Sequence, residues 1–222
     1  MPFITLEGVD GCGKTTQAAL IADALEAAGH DVLRLREPGG VAISEKIRAI
    51  LLDPANGEMG DVCELLLYEA ARAQLVHQVI KPALAEGKTV ICDRFYDSTT
   101  AYQAFADGLD RDLVSQANKL AVDGCYPDLT LVFPLPVEVA QRRRSGRDAE
   151  DRLELRGLEF QQRVAEGFRA VAASEVSRVK LVDAAGSVDE VFMGVVGELA
   201  AAGLDMPEAA VSAALSAYQG SC

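Results

Sequence analysis

The 222-residue sequence has a deficit of basic residues, no C-x-x-C cysteine pair and no long hydrophobic run. It contains 21 Lys and Arg against 34 Asp and Glu, which gives a net charge of −13. Because proteins that bind nucleic-acid polymers usually carry a basic excess, we expect no such partner. No apolar run approaches the ~18 residues that a membrane span needs, so we expect no membrane partner either.

Cysteine and histidine are also too sparse to form a structural metal site. The five cysteines are an odd number, and the two histidines, His30 and His77, are isolated in the sequence. With no signal-like segment at the start of the chain, this usage predicts reduced thiols and a cytoplasmic location.

Short apolar runs alternate with helix-length segments, which predicts an α/β fold. Because the runs are apolar on both faces, we expect a five-stranded parallel sheet between two helical layers, a three-layer α/β/α arrangement. The predicted strands are 3–6, 32–35, 89–92, 129–133 and 179–182. The predicted helices are 14–28, 41–52, 61–86, 110–123, 136–145, 153–173 and 187–201.

The chain reads as one domain over residues 1–203, followed by an Ala-rich tail at 204–222. The tail has room for one extra helix after Pro207. Glycines 29 and 87 are placed to end helices, and Asp61 and Ser187 to cap them. The long segment 61–86 is apolar nearly all round, which indicates a core helix or a subunit interface.

Residues 8–15 read G-V-D-G-C-G-K-T and fit the phosphate-binding pattern G-x-x-x-x-G-K-[ST] of P-loop NTPases. The motif lies between a predicted strand and a predicted helix, where backbone N–H groups can surround a phosphate. Lys14 can follow the γ-phosphate, and Thr15 can bind Mg²⁺. The predicted nucleotide-binding residues are Gly8, Val9, Asp10, Gly11, Cys12, Gly13, Lys14, Thr15 and Thr16.

Two further segments end predicted strands at the edge of the sheet where ligands bind. Asp93 can hold a magnesium-bound water beside Thr15, and Arg94 can clamp a phosphate with two hydrogen bonds. Arg36, followed by Pro38, Gly39 and Gly40, can reach a second phosphate. A strand-end ion pair and an ordinary turn are the respective alternatives.

An arginine-rich stretch over residues 142–156 is the third cluster. Mixed charges of this kind most often form a solvated face, but they also suit a lid that brings an arginine to a transferred phosphoryl group. The N-K-x-D signature that reads guanine is absent, since Asn118-Lys119 is spaced two residues too far from Asp123. The arginines of the stretch are Arg142, Arg143, Arg144, Arg147, Arg152 and Arg156.

Together these segments resemble the thymidylate kinase family, of the bacterial type whose lid supplies the catalytic arginine. The resemblance runs from about residue 3 to residue 200 and implies a nucleoside monophosphate kinase fold. It rests on residues 6–11, 36–40, 66–74, 93–95, 98–103 and 127–131.

The resemblance implies a role for each matching residue. Arg36 and Arg94 would hold the dTMP phosphate, beside Pro38, and Asp10 would accept a hydrogen bond from the 3′-hydroxyl. Tyr68 would stack on thymine, and Arg72 would donate to its O4. Tyr102 would crowd the ribose 2′ position and disfavour ribonucleotides. Ser98 and Gln103 would complete the thymine site.

Three positions depart from the family pattern. Tyr68 stands where phenylalanine is usual, residues 104–107 stand where the family often has a glycine-rich stretch and an arginine, and Pro134 replaces an aspartate.

The implied reaction converts ATP and dTMP to ADP and dTDP with Mg²⁺, on the path to dTTP. Lys14, Arg94, Asp10 and a lid arginine would be catalytic, with Arg152 preferred over Arg147. A homodimer formed through the apolar helices is also implied. The alternatives are a kinase for another nucleoside monophosphate, or a nucleotide-dependent switch protein.

Overall fold

A computed structural model of the chain describes residues 2–144 and 151–220. Within these residues, one sheet of five parallel strands has the order β2-β3-β1-β4-β5. The predicted five-stranded parallel sheet is therefore confirmed. The strands are β1 (Phe3–Glu7), β2 (Val32–Arg36), β3 (Thr89–Asp93), β4 (Leu129–Val132) and β5 (Val179–Leu181).

Hydrophobic clusters cover both faces of the sheet, as the three-layer prediction requires. Side chains alternate along β1, so that Ile4 and Leu6 join one cluster while Phe3 joins the other. All five residues of β1 are buried, including the polar Thr5 and Glu7, because both faces of this central strand are covered. The helices that form the outer layers are α1 (Lys14–Ala27), α2 (Ala42–Leu52), α3 (Asp61–Leu75), α4 (Lys81–Ala85), α5 (Tyr96–Thr99), α6 (Arg111–Val122), α7 (Val137–Arg144), α8 (Gly157–Ser174), α9 (Val188–Ala201) and α10 (Glu208–Gly220).

Most of the predicted helix ends agree with the structure. Gly29 and Gly87 have φ values of 89° and 86°, a left-handed conformation that ends a helix at little cost for glycine. Ser187 caps α9 through a capping box with Glu190. The prediction for Asp61 was wrong, because Gly60 holds the cap position and Asp61 is the first residue of α3.

A helical segment that was not predicted from the sequence follows β3. Helix α5 continues into a π-helical stretch, Thr100–Ala106, most of which is buried against α8. A Cβ on Gly167 would lie 2.9 Å from the Cα of Ala101, so the glycine lets the two segments approach closely. Threonine and tyrosine favour helices weakly, and packing overrides that local preference here.

The predicted helix 61–86 is one helical run in three parts. Helix α3 passes through a π-helical turn, Val76–Ile80, into α4. Its buried side includes Leu65 and Leu75, whereas Val62 and Leu66 are 52% and 60% exposed. This run therefore contributes to the core and also presents an apolar face to solvent.

Part of the predicted lid lies outside the described residues, including Arg147. The described part contains a three-ten turn, Glu154–Arg156, directly before α8. In the tail, α10 begins after Pro207 and packs along α1. None of the helices described combines the length and the apolar character needed to cross a membrane.

Candidate active site

The phosphate-binding loop connects the carboxyl end of β1 to the start of α1. Gly8, Gly11 and Gly13 have φ values of 141°, 87° and 102°, in the region that side-chain-bearing residues rarely occupy. A Cβ on Gly11 would also collide with the backbone carbonyl of Ala140. The loop thus needs these glycines to curl at the N-terminus of α1, where unpaired N–H groups can bind an anion.

Lys14 lies beneath this loop and is almost fully buried. Its ammonium donates hydrogen bonds to the carbonyls of Gly8 and Val9, at 2.9 and 3.0 Å, and lies 3.9 Å from Asp10 Oδ1. A large cavity of about 1140 Å³ opens above the loop and is lined by all the residues from Asp10 to Thr16. The lysine therefore supplies positive charge to a cavity that is large enough for a nucleotide.

Thr15 and Asp93 form the pair expected at a magnesium site. The hydroxyl of Thr15 donates to Asp93 Oδ2 over 2.6 Å, because β3 pairs with β1 and ends beside the loop. The residues described here contain no group of three or more His, Cys, Asp or Glu side chains suited to a metal. A hydroxyl and one carboxylate fit Mg²⁺, which takes its remaining ligands from phosphates and water.

Arg94 connects the phosphate loop to the segment after β3. Its guanidinium donates to Asp10 Oδ1 over 2.6 Å and to Ser98 Oγ over 3.0 Å. Desolvation in the cleft opposes ionisation of Asp10, but Arg94 and Lys14 outweigh it and lower the pKa of Asp10 to about 2. Asp10 and Arg94 are therefore a fixed charge pair at the entrance to the loop.

Glu7 holds the segment that follows Arg94, and it was not identified from the sequence as a site residue. Its carboxylate accepts hydrogen bonds from the backbone N–H groups of Phe95 and Ser98, at 2.7 and 3.2 Å. It also accepts one from the Ser98 hydroxyl at 2.5 Å. Burial and the nearby Asp97 raise the pKa of Glu7 to about 7, although Arg94 opposes them.

A second cavity of about 90 Å³ adjoins the first on the side of Arg94. Five of the described residues line both cavities, so the two cavities lie side by side and share a wall. Most of the predicted acceptor residues line the smaller cavity, namely Asp10, Pro38, Tyr68, Arg94, Ser98, Tyr102 and Gln103. The residues that line both cavities are Asp10, Glu37, Arg48, Arg94 and Asp151.

Arg72 lines neither of these two cavities. It is 2% exposed and donates to Glu37 Oε2 at 2.8 Å and to Glu69 Oε1 at 2.7 Å. Burial opposes its charge, but the two carboxylates outweigh burial and raise the pKa of Arg72. Donation to thymine O4 stays a prediction, and it requires a donor of this guanidinium that the carboxylates do not use.

Arg36 is at the predicted edge of the sheet and lines the larger cavity. Its guanidinium donates to both carboxylate oxygens of Glu45, at 3.0 and 3.1 Å, and to the carbonyl of Pro38 at 2.8 Å. Contact with a substrate phosphate therefore requires the guanidinium to turn away from Glu45.

Arg152 is placed differently from the sequence expectation. Its guanidinium pairs with Glu64 and donates to the carbonyl of Leu51 over 2.8 Å, outside both cavities. Arg143 and Arg144, from α7, line the larger cavity instead. A catalytic role for Arg152 stays a prediction, and it requires the segment to rearrange.

Glu64 contacts both Arg152 of the lid region and Gln103, which lines the smaller cavity. Its second oxygen accepts a hydrogen bond from the Gln103 amide nitrogen at 2.7 Å. That bond leaves the Gln103 carbonyl oxygen as the amide atom able to accept a bond from a ligand.

Arg48 is the clearest cavity residue that sequence reasoning missed. It lines both cavities and donates to the Pro38 carbonyl over 2.9 Å. In the sequence it is one charged residue on an amphipathic helix, and no spacing distinguishes it from a surface arginine.

The altered stretch at 104–107 ends in Asp107, which pairs with Arg156 of the lid region.

A phosphate loop, a carboxylate at the end of β3, and a second cavity joined through an arginine define a P-loop nucleoside monophosphate kinase. The sequence model of one family of such enzymes, described as thymidylate kinase, matches residues 6–194. The chain belongs to the thymidylate kinase family.

Individual relatives are consistent with this assignment. The chain is similar to a thymidylate kinase of Syntrophotalea carbinolica, at 49% identity over 195 residues, or 85% of this chain and 90% of the relative. One from Geobacter sulfurreducens is 50% identical over 187 residues, or 82% and 88% of the two chains. The crystal structure of an Ehrlichia chaffeensis thymidylate kinase has a TM-score of 0.73 at 34% identity, over 90% of this chain and 98% of that chain.

Proposed function

We propose that this protein transfers the γ-phosphoryl group of ATP to dTMP, giving ADP and dTDP in dTTP biosynthesis. The observation that carries the proposal is the junction of the two cavities. Asp10 and Arg94 line both of them, so a triphosphate on the loop and a monophosphate in the smaller cavity would meet there.

On the donor side, the loop from Gly8 to Thr16 would hold the ATP phosphates. Lys14 would contact the β- and γ-phosphates from its position beneath the loop. Thr15 and Asp93, which are hydrogen-bonded to each other, would hold Mg²⁺ directly and through water. Bound there, Mg²⁺ would neutralise charge on the phosphate oxygens.

On the acceptor side, the walls of the smaller cavity suit a nucleoside monophosphate. Arg94, together with Arg36 after it turns, would bind the dTMP phosphate. Asp10 would accept a hydrogen bond from the 3′-hydroxyl, since its low pKa keeps it ionised. Tyr68 would stack on the base, and the buried ring of Tyr102 would crowd a ribose 2′-hydroxyl.

Base selection would depend on the orientation of donors and acceptors. The Gln103 amide, held by Glu64, would present its carbonyl oxygen to thymine N3–H. Arg72 would donate to thymine O4. Cytosine has an unprotonated N3 and an amino group in place of O4, so it would leave these buried groups unpaired, which is costly.

The reaction needs no general base, because a phosphate with a second pKa near ~6 is already largely dianionic at neutral pH. Catalysis then rests on placing the two phosphates together and neutralising their charge. Lys14 and Arg94 are fixed for this purpose by the contacts described above. A lid arginine, for which Arg152 and then Arg147 are our candidates, would complete the charge.

We also propose that the protein is a homodimer. Helices α2, α3 and α6 pack side by side, and each presents exposed apolar side chains at helical spacing. They are Ile43 and Ile50, Val62 and Leu66, and Leu113 and Leu120. Leu66→Glu with Leu120→Glu should give a monomer by light scattering, whereas Leu181→Glu should not. A monomeric mass for the wild type at micromolar concentration would contradict the proposal.

A cytoplasmic location completes the proposal. The four cysteines within the described part of the chain are all free thiols, as a reducing compartment allows. Fractionation of cells that express the tagged protein would test the location, and recovery in a membrane or secreted fraction would contradict it.

The proposed activity is tested by coupled ADP release from ATP and Mg²⁺ with dTMP, dUMP, dCMP, dGMP and AMP as separate acceptors. We expect strong turnover with dTMP, weak turnover with dUMP and almost none with the others. Preference for another acceptor would identify a different nucleoside monophosphate kinase. Nucleotide binding without turnover of any acceptor would favour a switch protein.

A further inference from the structure

The side of the larger cavity formed by the segment after β5 lies across the sheet from β2 and Arg36, and the proposed chemistry has not used it. On this side the walls come from the start of α9 and from the final turn of α10. Val188 and Val191 supply apolar surface there, and Tyr218 supplies an aromatic ring.

The position of the phosphate loop decides which part of a donor nucleotide could reach this side. The loop follows β1, the middle strand of the sheet, and on the side of β2 and β3 Arg48 and Arg94 also line the smaller acceptor cavity. The base of the donor must therefore extend the other way, toward α9 and α10. Apolar walls beside an aromatic ring are what a planar base requires.

Helix α10 is anchored well enough to hold its last turn in place. It packs along α1, with Val211 and Ala214 buried in the main core, and Leu215 and Tyr218 pack against that core. At its end, the Gln219 amide donates to Asp189 of α9 over 2.9 Å. Tyr218 is therefore on a helix that packs along α1 and is hydrogen-bonded to α9, two helices whose first residues line the cavity.

We propose that α10 completes the donor-base site and that the ring of Tyr218 contacts the purine of the donor nucleotide. This inference rests on the proposed function, since it takes the P-loop ligand to be a purine nucleoside triphosphate. The family match ends at residue 194, before α10 begins at Glu208, so the family assignment does not supply this contact.

The test compares a donor that has a base with one that has none. Isothermal titration calorimetry would measure binding of ATP and of inorganic tripolyphosphate, each with Mg²⁺, to the wild type and to Tyr218→Ala. We expect the Kd for ATP to rise about 2- to 12-fold, the range for a lost aromatic contact. The Kd for tripolyphosphate should not change, because that ligand occupies the loop alone.

Two further variants separate a direct contact from a loosened helix. Tyr218→Phe keeps the ring and should bind ATP as the wild type does. Leu215→Ala weakens the packing of α10 without removing a cavity residue. It should lower the Tm and leave the Kd for ATP close to that of the wild type. The KM for dTMP should be unchanged in Tyr218→Ala.

An unchanged Kd for ATP in Tyr218→Ala would overturn the inference, and so would equal weakening of ATP and tripolyphosphate. Loss of ATP affinity in Tyr218→Phe would refute contact through the ring. If the wild type itself binds no ATP, the proposed function is contradicted. If the wild type binds ATP and Tyr218→Ala binds it equally well, only the inference about Tyr218 is contradicted.

Discussion

Arg94 Nη2 and Asp10 Oδ1 are 2.6 Å apart, and this pair connects the phosphate loop to the acceptor cavity. Asp10 is part of the loop, whereas Arg94 follows β3 and has a φ of 72°, a left-handed conformation that is uncommon for a residue with a side chain. The charge that would bind the acceptor phosphate is thus fixed relative to the donor site before any substrate arrives, which reduces the ordering needed for transfer.

Arg94→Lys should reduce kcat/KM for dTMP by about 10- to 150-fold, because the planar fork that bonds both Asp10 and a phosphate is lost and a charged hydrogen bond contributes about 1.5–3 kcal/mol. The KM for ATP should change little. Steady-state kinetics with each substrate varied would check this, with Arg34→Lys on the exposed side of β2 as a control. Equal loss in both variants would contradict the assigned role.

Comparison with Glu7→Gln should show that the buried carboxylate of Glu7 lowers the free energy of unfolding as the pH rises. The pKa of Glu7 is raised from 4.5 to about 7, so between these values the folded state binds a proton that the unfolded state releases. The free energy of unfolding of the wild type, relative to Glu7→Gln, should therefore fall by about 3 kcal/mol as the pH rises from 4.5 to above 7. Urea denaturation of both proteins at pH 5 and pH 8 would measure it. A pH-independent difference would show that Glu7 ionises normally.

Arg152→Ala should lower kcat much more than it raises either KM, if this arginine reaches the transferred phosphoryl group. It should also lower the stability by about 3–5 kcal/mol, since it leaves the carboxylate of Glu64 buried and unpaired.

The double variant Arg152→Ala with Glu64→Gln separates these two effects. Removing the orphaned charge should restore much of the Tm, while kcat should stay low. Recovery of kcat together with the Tm would show that Arg152 acts only through folding.

Gly11→Ala should abolish ATP binding and destabilise the protein, because its Cβ would meet the Ala140 carbonyl. Gly29→Ala is a matched control, since Gly29 has nearly the same φ, 89° against 87°, but open space around it. The control should lose about 1–2 kcal/mol from backbone strain alone and still bind ATP. Calorimetry and thermal melts of the two variants would distinguish collision from strain, and equal behaviour would exclude the collision.

Those features that local sequence rules determine were predictable. The apolar runs predicted the sheet because a parallel strand buried on both faces has few alternatives. The loop glycines and Lys14 were recognisable because the motif is contiguous in the chain.

Features that depend on contacts between distant residues were not predictable. The buried stretch at 100–106 becomes helical through packing on Gly167, 61 or more residues away, which no local pattern records. Arg48, Glu7 and Tyr218 join the cavity or support it only after the sheet has brought separate segments together. Arg152 shows the same limit, because its partner Glu64 is 88 residues earlier in the chain.

If Arg72 donates to thymine O4 as proposed, its two carboxylate partners constrain how this protein could evolve a new base preference. Replacing Arg72 by a neutral residue would leave Glu37 and Glu69 buried without their shared cation. Breaking such a contact costs about 3–5 kcal/mol, a large part of the 5–15 kcal/mol that keeps a typical domain folded. A change of preference toward another pyrimidine would therefore require the two carboxylates to change before Arg72 or together with it. Variants in which Arg72 alone is replaced by a neutral residue would be poorly folded.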